Sequence, residues 1–323
     1  MTNLNLVIVG SMGYDDIETP WASGSDVLGG SAVHAGVSAA FHIPEVPGQK
    51  SRVGLVSPVG KDFSKDDQSI LEELGIDLSG MSILPGKTFR WSGKYEGSMD
   101  NVETISTEVN VLGDFNPIIP EMWTSPKVLF CANTHPESQI SVLDQCPDSE
   151  ITAIDTFMLW IETEFEKLSS ALRKSDLAIL NEEEICAISG EQIFTKAITP
   201  IMSGSALYGG VEAGSGPRGL IIKRGSSGVF AHLPCGIIAL PAYPVRDLVD
   251  PTGCGDSFAG ALLANIAGRK GALNDLEFMR SAMIHAVVTS SFTIQGLGSD
   301  KLRTLERGIY HARMDRYRRI VGL

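Results

Sequence analysis

Short apolar runs alternate with longer stretches of helical periodicity along most of the 323-residue chain. The runs are apolar at consecutive positions, and they lie at residues 5–10, 52–57, 127–133, 151–156, 176–181 and 219–225. Consecutive apolar positions are typical of parallel strands that helices cover on both faces. The helical stretches lie at residues 31–41, 63–74, 162–173, 258–266 and 276–289. This alternation predicts a three-layer αβα sandwich around a mostly parallel sheet.

One segment, residues 87–117, interrupts the alternation with strand-like character and no helical period. It could form a β lid over a ligand cleft or an edge hairpin that extends the sheet, and we expect the lid. Arg90, Trp91 and Tyr95 would then cover the ligand, since aromatic faces stack on sugars and bases. Packing within the hairpin or a dimer contact would explain these side chains equally well. We expect one domain, residues 1–323, that carries this insert.

The chain has 39 acidic and 26 basic residues, which gives a net charge of −13. Nucleic acids and anionic membrane surfaces would be repelled by this charge, so we expect neither as a partner. No apolar run approaches the roughly 20 residues of a membrane helix, and the N-terminus lacks the basic region of a signal peptide. Five cysteines without a CxxC pair predict reduced thiols and a cytoplasmic protein.

Residues 250–256, DPTGCGD, combine two glycines with an aspartate directly before an apolar helical run. The glycines allow a sharp turn that exposes consecutive backbone N–H groups, and the helix dipole adds positive potential there. Such a loop could hold a phosphoryl anion, while Asp256 takes a proton from an attacking alcohol. A simple turn and helix cap is the alternative. The predicted catalytic positions are Gly253, Cys254, Gly255 and Asp256.

The longer segment VDPTGCGDSFAGALL, residues 249–263, resembles the C-terminal signature of the ribokinase family, the PfkB-type carbohydrate and nucleoside kinases. Pro251 and Cys254 stand where that signature more often has Thr and Ala. The resemblance implies a ribokinase-like fold, ATP as phosphoryl donor and Asp256 as catalytic base. It also implies that the amides of residues 253–255 form the anion hole and that Asp250 lies on the nucleotide side.

Two further segments resemble the acceptor-binding part of that family. In LGGSAVHAGVSAA, residues 28–40, Gly29 and Gly30 match glycines that contact substrate hydroxyls, and His34 stands where the family usually has Asn. A helix-entry turn would explain these glycines without a ligand. In GSMGYDD, residues 10–16, Asp15 matches an aspartate that binds a substrate hydroxyl, and Asp16 is a rival for that role.

On the nucleotide side, Asn181 and Glu184 match an N-x-x-E motif that organises Mg²⁺ in the family. The same two residues would also form a helix capping box. In IIKRGSSGVF, residues 221–230, Lys223, Gly225 and Gly228 match a strand and turn that lie along ATP, and a plain hairpin turn is the alternative. The family often uses a monovalent cation near the anion hole, and the sequence leaves open whether this chain does.

These resemblances predict a kinase that moves the γ-phosphoryl group of ATP to a hydroxyl of a sugar or sugar derivative. Two alternatives remain open: a nucleoside kinase of the same family, and a catalytically silent member that binds nucleotide and acts in regulation. The partner would be a small-molecule sugar or nucleoside. By analogy with the family, a homodimer is also expected.

Overall fold

The structure, a computed structural model, describes residues 4–43, 52–97, 99 and 102–323. The strands in these residues follow the chain as β1 (Leu6–Val9), β2 (Gly13–Glu18), β3 (Ser23–Gly29), β4 (Val53–Val59), β5 (Ile76–Ile83), β6 (Phe89–Tyr95), β7 (Val102–Glu108), β8 (Val128–Cys131), β9 (Ile151–Ile154), β10 (Leu177–Asn181), β11 (Gly219–Lys223), β12 (Val229–Leu233) and β13 (Gly236–Leu240). They form a large sheet of nine strands and a small sheet of four.

The large sheet has the strand order β13-β12-β11-β10-β9-β8-β1-β4-β5. Every pair from β11 to β5 is parallel, and only β12 and β13, at one edge, run antiparallel to their neighbours. A parallel sheet places the carboxyl ends of its strands at one edge, where ligands usually bind. The loops after β1, β9, β10 and β11 therefore meet on the same side of the molecule.

Helices cover both faces of this sheet. They are α1 (Ser31–His42), α2 (Lys65–Glu73), α3 (Pro136–Gln145), α4 (Met158–Thr163), α5 (Phe165–Lys174), α6 (Glu182–Ser189), α7 (Phe194–Ser203), α8 (Cys254–Ile266), α9 (Leu276–Thr293), α10 (Asp300–Arg303) and α11 (Arg307–Ile320). Alternate residues of β1 enter separate cores: Leu6 and Ile8 pack with the layer of α1, α8 and α9, and Val7 and Val9 pack with the layer of α3, α5 and α6. The predicted three-layer αβα sandwich is confirmed.

The small sheet, called the lid sheet below, has the order β3-β2-β6-β7. Its central pair, β2 and β6, is parallel, and the outer strands are antiparallel to it. For this small sheet, the sequence pattern predicted strands only in residues 87–117. Residues 98, 100 and 101 of that range lie outside the described part of the chain. Residues 13–29 contribute the other half of the sheet. The small β element that the sequence predicted is thus present, built from two separate segments of the chain.

Among the described residues, no helix combines the length and the apolar character that crossing a membrane requires.

Candidate active site

The loop between β13 and α8 turns sharply at Gly253, which has φ of +72° and precedes the first residue of α8. A Cβ atom at this position would lie 2.3 Å from the ring of His34, so only glycine fits both the backbone angle and the space. Asp250 fixes the loop from the other end, because its carboxylate accepts hydrogen bonds from the N–H groups of Thr252 (2.9 Å) and Gly298 (3.0 Å). The loop therefore places the N–H groups of residues 253 and 255 at the start of a 13-residue helix, as an anion-binding turn does, while the N–H of Cys254 donates to the carbonyl oxygen of Pro251 (3.2 Å).

Asp256 lies in the first turn of α8, directly after this loop. Burial and, to a smaller extent, the nearby Asp155 raise the pKa of its carboxyl group to about 7, against the opposing effect of Lys223. A carboxyl group with a pKa near neutral pH is suited to accept a proton and then release it. The predicted base and the predicted anion-binding amides thus lie side by side.

Lys223, at the end of β11, provides positive charge at this point. Its Nζ lies 2.7 Å from Oδ2 of Asp155, and 3.2 Å from where a Cβ on Gly255 would be. Burial would lower the pKa of Lys223, but Asp155, Glu184 and Asp256 hold it above its ordinary value. The ammonium group therefore stays charged next to the anion-binding loop.

The sequence analysis did not identify Asp155, which follows β9 and is 4% exposed. Its Oδ1 accepts a hydrogen bond from the backbone N–H of Thr156 at 2.8 Å, while Oδ2 faces Lys223. One signal in the sequence could have found it. A single acidic residue follows the apolar run at residues 151–154, and such a position lies at the ligand-binding edge of a parallel sheet.

Asn181 and Glu184 form a capping box at the start of α6. Oδ1 of Asn181 accepts a hydrogen bond from the N–H of Glu184 (2.7 Å), and Oε2 of Glu184 accepts one from the N–H of Asn181 (2.8 Å). Burial raises the pKa of the Glu184 carboxyl group to about 8, and Asp155 adds to the effect. The capping box, which was the alternative to metal binding, is therefore present. Oε1 of Glu184 takes no part in its hydrogen bonds.

A hard cation fits the charge of this region. Three carboxyl groups, on Asp155, Glu184 and Asp256, interact with one ammonium group, on Lys223, so carboxyl oxygens outnumber the positive charges here. Within the described ranges, no three His, Cys, Asp or Glu side chains are close enough to enclose a metal ion. Mg²⁺ binds carboxylate oxygens and usually keeps several water molecules. An ion shared with nucleotide phosphates suits these residues better than one enclosed by protein.

The turn between β11 and β12 contains the other two glycines predicted on the nucleotide side. Gly225 and Gly228 have φ of +53° and +93°, and the strands on either side pair as an antiparallel hairpin. A Cβ on Gly228 would lie 2.1 Å from the carbonyl oxygen of Leu240, whereas a Cβ on Gly225 would meet no atom within 4 Å. Gly228 is thus needed for the hairpin, and Gly225 leaves an open surface beside Lys223.

On the acceptor side, Asp15 belongs to β2 and is 4% exposed. Burial raises the pKa of its carboxyl group to about 8, and the neighbouring carboxyl groups of Asp250 and Asp256 add to the effect. A Cβ on Gly29 would lie 2.0 Å from Oδ2 of Asp15, so this glycine makes room for the carboxyl group. Gly30, with φ of +97°, starts α1 immediately afterwards.

The rival position, Asp16, lies elsewhere. Its side chain is exposed, and Oδ1 accepts a hydrogen bond from the backbone N–H of Asp26 at 2.9 Å. Successive side chains of a strand point to opposite faces of the sheet. The structure therefore brings Asp15, and not Asp16, towards Asp256.

His34, in the first turn of α1, is 1% exposed and lies against Gly253. Burial lowers the pKa of its imidazole to about 4, so the ring is neutral at pH 7. Neither ring nitrogen has a hydrogen-bond partner among the described residues. A buried polar group without a partner is costly, and a ligand or water could supply one.

Residues 145–299 match the family model described as pfkB family carbohydrate kinase. A cytidine kinase from Thermococcus kodakarensis is 30% identical over 270 residues, which are 81% of this chain and 88% of that protein.

Two solved structures have the same fold at low sequence identity. The Methanocaldococcus jannaschii nucleoside kinase, described as an archaeal member of the ribokinase family, has a TM-score of 0.73 at 17% identity, covering 98% of this chain and 100% of that chain. A putative ribokinase II from E. coli, in complex with ATP and Mg²⁺, has a TM-score of 0.73 at 18% identity, again covering 98% and 100%.

Proposed function

This chain belongs to the pfkB family of carbohydrate kinases, the ribokinase family, and on that premise we propose that it transfers the γ-phosphoryl group of ATP to a hydroxyl group of a nucleoside. Asp256 is the general base, and the amides of residues 253–255 form the anion hole. Asp15 binds the acceptor. Kinases of this family act on small sugars or nucleosides, and the choice between these two classes is the finer part of the proposal.

The observation that carries the proposal is the proximity of Asp15 and Asp256. The two carboxyl groups are close enough for Asp256 to raise the pKa of Asp15, and the anion-binding loop lies directly before Asp256. A buried carboxylate accepts hydrogen bonds from hydroxyl groups, so Asp15 can hold a polyol next to a base. Proximity of acceptor, base and anion hole is what phosphoryl transfer requires of a protein.

In the proposed reaction, the acceptor oxygen attacks the γ-phosphorus while its proton moves to Asp256. The bond between the γ-phosphorus and the β,γ-bridging oxygen breaks, and ADP leaves with the bonding electron pair. The amides of Gly253 and Gly255 donate hydrogen bonds to the equatorial oxygens, whose charge needs stabilisation in the transition state. Lys223, held beside Gly255 by Asp155, adds a fixed positive charge. Gly225 leaves space for the nucleotide next to that lysine.

Magnesium would be held through water by Asn181 and Glu184, and it would neutralise charge on the nucleotide phosphates. Glu184 keeps one carboxyl oxygen outside the capping box. The box orients that oxygen, so capping and metal binding are compatible roles. The excess of carboxyl groups around Lys223 supports this assignment.

A monovalent cation is proposed beside Asp250. Both oxygens of this buried carboxyl group accept backbone N–H groups, and no salt bridge to it occurs among the described residues. The backbone N–H of Asp250 is bonded to the carbonyl of Ile294 at 3.2 Å. Thr293 precedes Ile294, and Ser299 follows Gly298. The buried hydroxyl groups of Thr293 and Ser299 have no hydrogen-bond partner among the described residues. A bound cation would provide a partner for such buried oxygens.

The nucleoside is preferred as acceptor because the relative with 30% identity is a cytidine kinase. A free sugar, expected from the C-terminal signature, is the second candidate, and the matched family model is named for carbohydrate kinases. Both classes present a sugar hydroxyl to Asp15, so the catalytic residues are the same for either. A catalytically silent regulator is disfavoured because Asp15 and the glycine turn before α8 both lie near Asp256, as a working kinase would need.

The test is ATP consumption by the purified protein with Mg²⁺ across a panel of nucleosides and free sugars, with Asp256→Asn as the matched inactive control. We expect turnover with a nucleoside, cytidine first, and its loss in the control. Turnover with free sugars alone would replace the nucleoside by the second candidate. Tight ATP binding without turnover of any acceptor would overturn the kinase assignment in favour of a regulatory role.

A further inference from the structure

The two faces of the lid sheet differ in chemistry. One face carries ion pairs, between Arg90 and Asp26 and between Lys94 and Glu18 (3.2 Å). The opposite face carries Asp15 on β2 and the odd-numbered residues of β6. In the parallel register of these strands Asp15 is paired with Trp91. Paired residues of neighbouring strands point to the same face of a sheet, so Trp91 lies on the face of Asp15.

This second face points towards the anion-binding loop, as two independent contacts indicate. Asp15 interacts with the carboxyl groups of Asp250 and Asp256. Tyr95, four residues after Trp91 and on the same face, has its hydroxyl 3.1 Å from Oγ1 of Thr252. Trp91 therefore has Asp15 and Tyr95 as neighbours on this face, and both of these residues approach the anion-binding loop.

The indole ring of Trp91 lies over Gly93. A Cβ atom on Gly93 would be 2.1 Å from Cη2 and 2.3 Å from Cζ2 of the indole, so the ring occupies the space of the missing side chain. One side of the ring thus rests on the strand, and Trp91 as a whole is half-buried. Because Trp91 is not fully buried, part of it remains exposed on the face of the sheet that carries Asp15.

We infer that Trp91, supported by Gly93, is the stacking surface for a planar heterocycle of the acceptor. The inference rests on the proposed phosphotransfer and identifies the acceptor class as a nucleoside. Neighbouring strands lie about 4.8 Å apart, so a ribose held by Asp15 has its attached base within reach of the indole. Aromatic rings stack on any nucleobase, so Trp91 selects for a base without selecting which one. A free sugar would use Asp15 alone.

The test compares one nucleoside, cytidine, with free ribose in the wild type and in three variants. Trp91→Ala removes the ring, Trp91→Phe keeps a smaller one, and Gly93→Ala displaces the indole without removing it. Trp21, which is 70% exposed in the turn between β2 and β3, provides the control Trp21→Phe. Thermal unfolding of each variant verifies that it is folded.

Loss of base stacking weakens binding roughly 10- to 100-fold. We expect Trp91→Ala to raise the KM for cytidine by about that factor, with a small change in kcat and none in the KM for ribose. Gly93→Ala should act in the same direction, and Trp91→Phe should retain most of the affinity. Cytidine should also quench the tryptophan fluorescence of the wild type and of Trp21→Phe without ATP, but not that of Trp91→Phe.

Three results would overturn the inference: an unchanged KM for cytidine in folded Trp91→Ala, an equal rise for cytidine and ribose, or persistent quenching in Trp91→Phe. The first two leave phosphotransfer intact, since Asp256→Asn would still abolish turnover of cytidine. If the wild type phosphorylates ribose but no nucleoside, the stacking surface is overturned and the kinase stands. If it phosphorylates nothing, both proposals fail together.

Discussion

The hydroxyl group of Tyr95 lies 3.1 Å from Oγ1 of Thr252, and this contact joins the lid sheet to the anion-binding loop. Thr252 in turn donates its backbone N–H to Asp250. The lid sheet contacts the same region from a second strand, β3. Gly298, whose N–H also donates to Asp250, packs so closely against Val27 of β3 that a Cβ on residue 298 would not fit. The position of the lid and the shape of the anion hole are therefore connected through Asp250.

Removing the hydroxyl group of Tyr95 should loosen this connection. A single neutral hydrogen bond contributes about 0.5–1.5 kcal/mol, so Tyr95→Phe should lower kcat/KM roughly 2- to 12-fold. Thr252→Val should have a similar effect, and Thr252→Ser, which keeps the hydroxyl, should have little. In the double variant Tyr95→Phe with Thr252→Val the two losses should not add. Additive losses would show that the two side chains act separately.

Turnover should depend on pH through Asp256. The base must be ionised, and burial raises its pKa to about 7. We therefore expect kcat to fall as the pH drops through 7, approaching tenfold per pH unit on the acid side. Asp256→Asn should lose a factor of ~10³ or more in kcat, with nearly unchanged ATP binding by calorimetry. A flat kcat profile between pH 5.5 and 8 would contradict the role of this residue.

The unliganded protein should lose stability as the pH rises, in part because of Asp15. Its native pKa of about 8 lies above that of an unfolded aspartate, so the native state binds the proton more tightly. Its contribution to stability is present at low pH and is lost as the pH rises through 8. Asp15→Asn should therefore melt above the wild type at pH 8.5, and the gap should narrow towards pH 5. A gap in Tm that is independent of pH would refute this account.

The charge balance around Lys223 predicts an asymmetry between two variants. Lys223→Met leaves Asp155, Glu184 and Asp256 without a compensating ammonium group, and removing one partner of a buried pair costs about 3–5 kcal/mol. Asp155→Asn leaves Lys223 with two other carboxyl groups, so its effect on the free energy of unfolding should be smaller. Urea denaturation at pH 7 measures both. Equal losses would mean that Lys223 and Asp155 form an isolated pair.

Glu184 caps α6 and is proposed to bind Mg²⁺ through water, and a conservative variant separates these two roles. In Glu184→Gln the amide oxygen can still accept the N–H of Asn181, so the capping box and the Tm should be largely kept. The Mg²⁺ concentration for half-maximal turnover should rise several-fold, because a neutral amide binds a hard cation more weakly. Glu184→Ala should lose the cap as well, at about 1 kcal/mol. An unchanged Mg²⁺ requirement in Glu184→Gln would leave capping as the role of this residue.

Local patterns in the sequence were sufficient for the large sheet and for the glycine turn before α8. The strands of the parallel sheet are apolar at consecutive positions, which is why β1, β4, β8 and β9 could be located. The loop before α8 needs its glycines for a backbone angle and for space, so its sequence is distinctive. Chemistry that depends on neighbouring residues within one loop leaves a local signal.

Contacts between distant segments left no such signal. Strands β2 and β3 carry several polar residues, and β2 pairs with β6 about 75 positions further along the chain. Nothing within residues 13–29 indicates that partner. Asp155 follows an apolar run, which indicates its place at the edge of the sheet, but its pairing with Lys223 arises only in the folded sheet. The choice between Asp15 and Asp16 likewise depends on which face of β2 points towards Asp256.

The origin of the lid sheet in two distant segments has a consequence for how the protein becomes active during synthesis. Strands β2 and β3 leave the ribosome early, whereas the loop that Asp15 and Tyr95 approach lies near the C-terminal end. Contacts of such long sequence separation form late, because the entropy of closing the intervening chain opposes them. A nascent chain that ends before residue 250 would have the acceptor carboxylate without the base. Catalytic competence should therefore appear only after most of the sheet has folded.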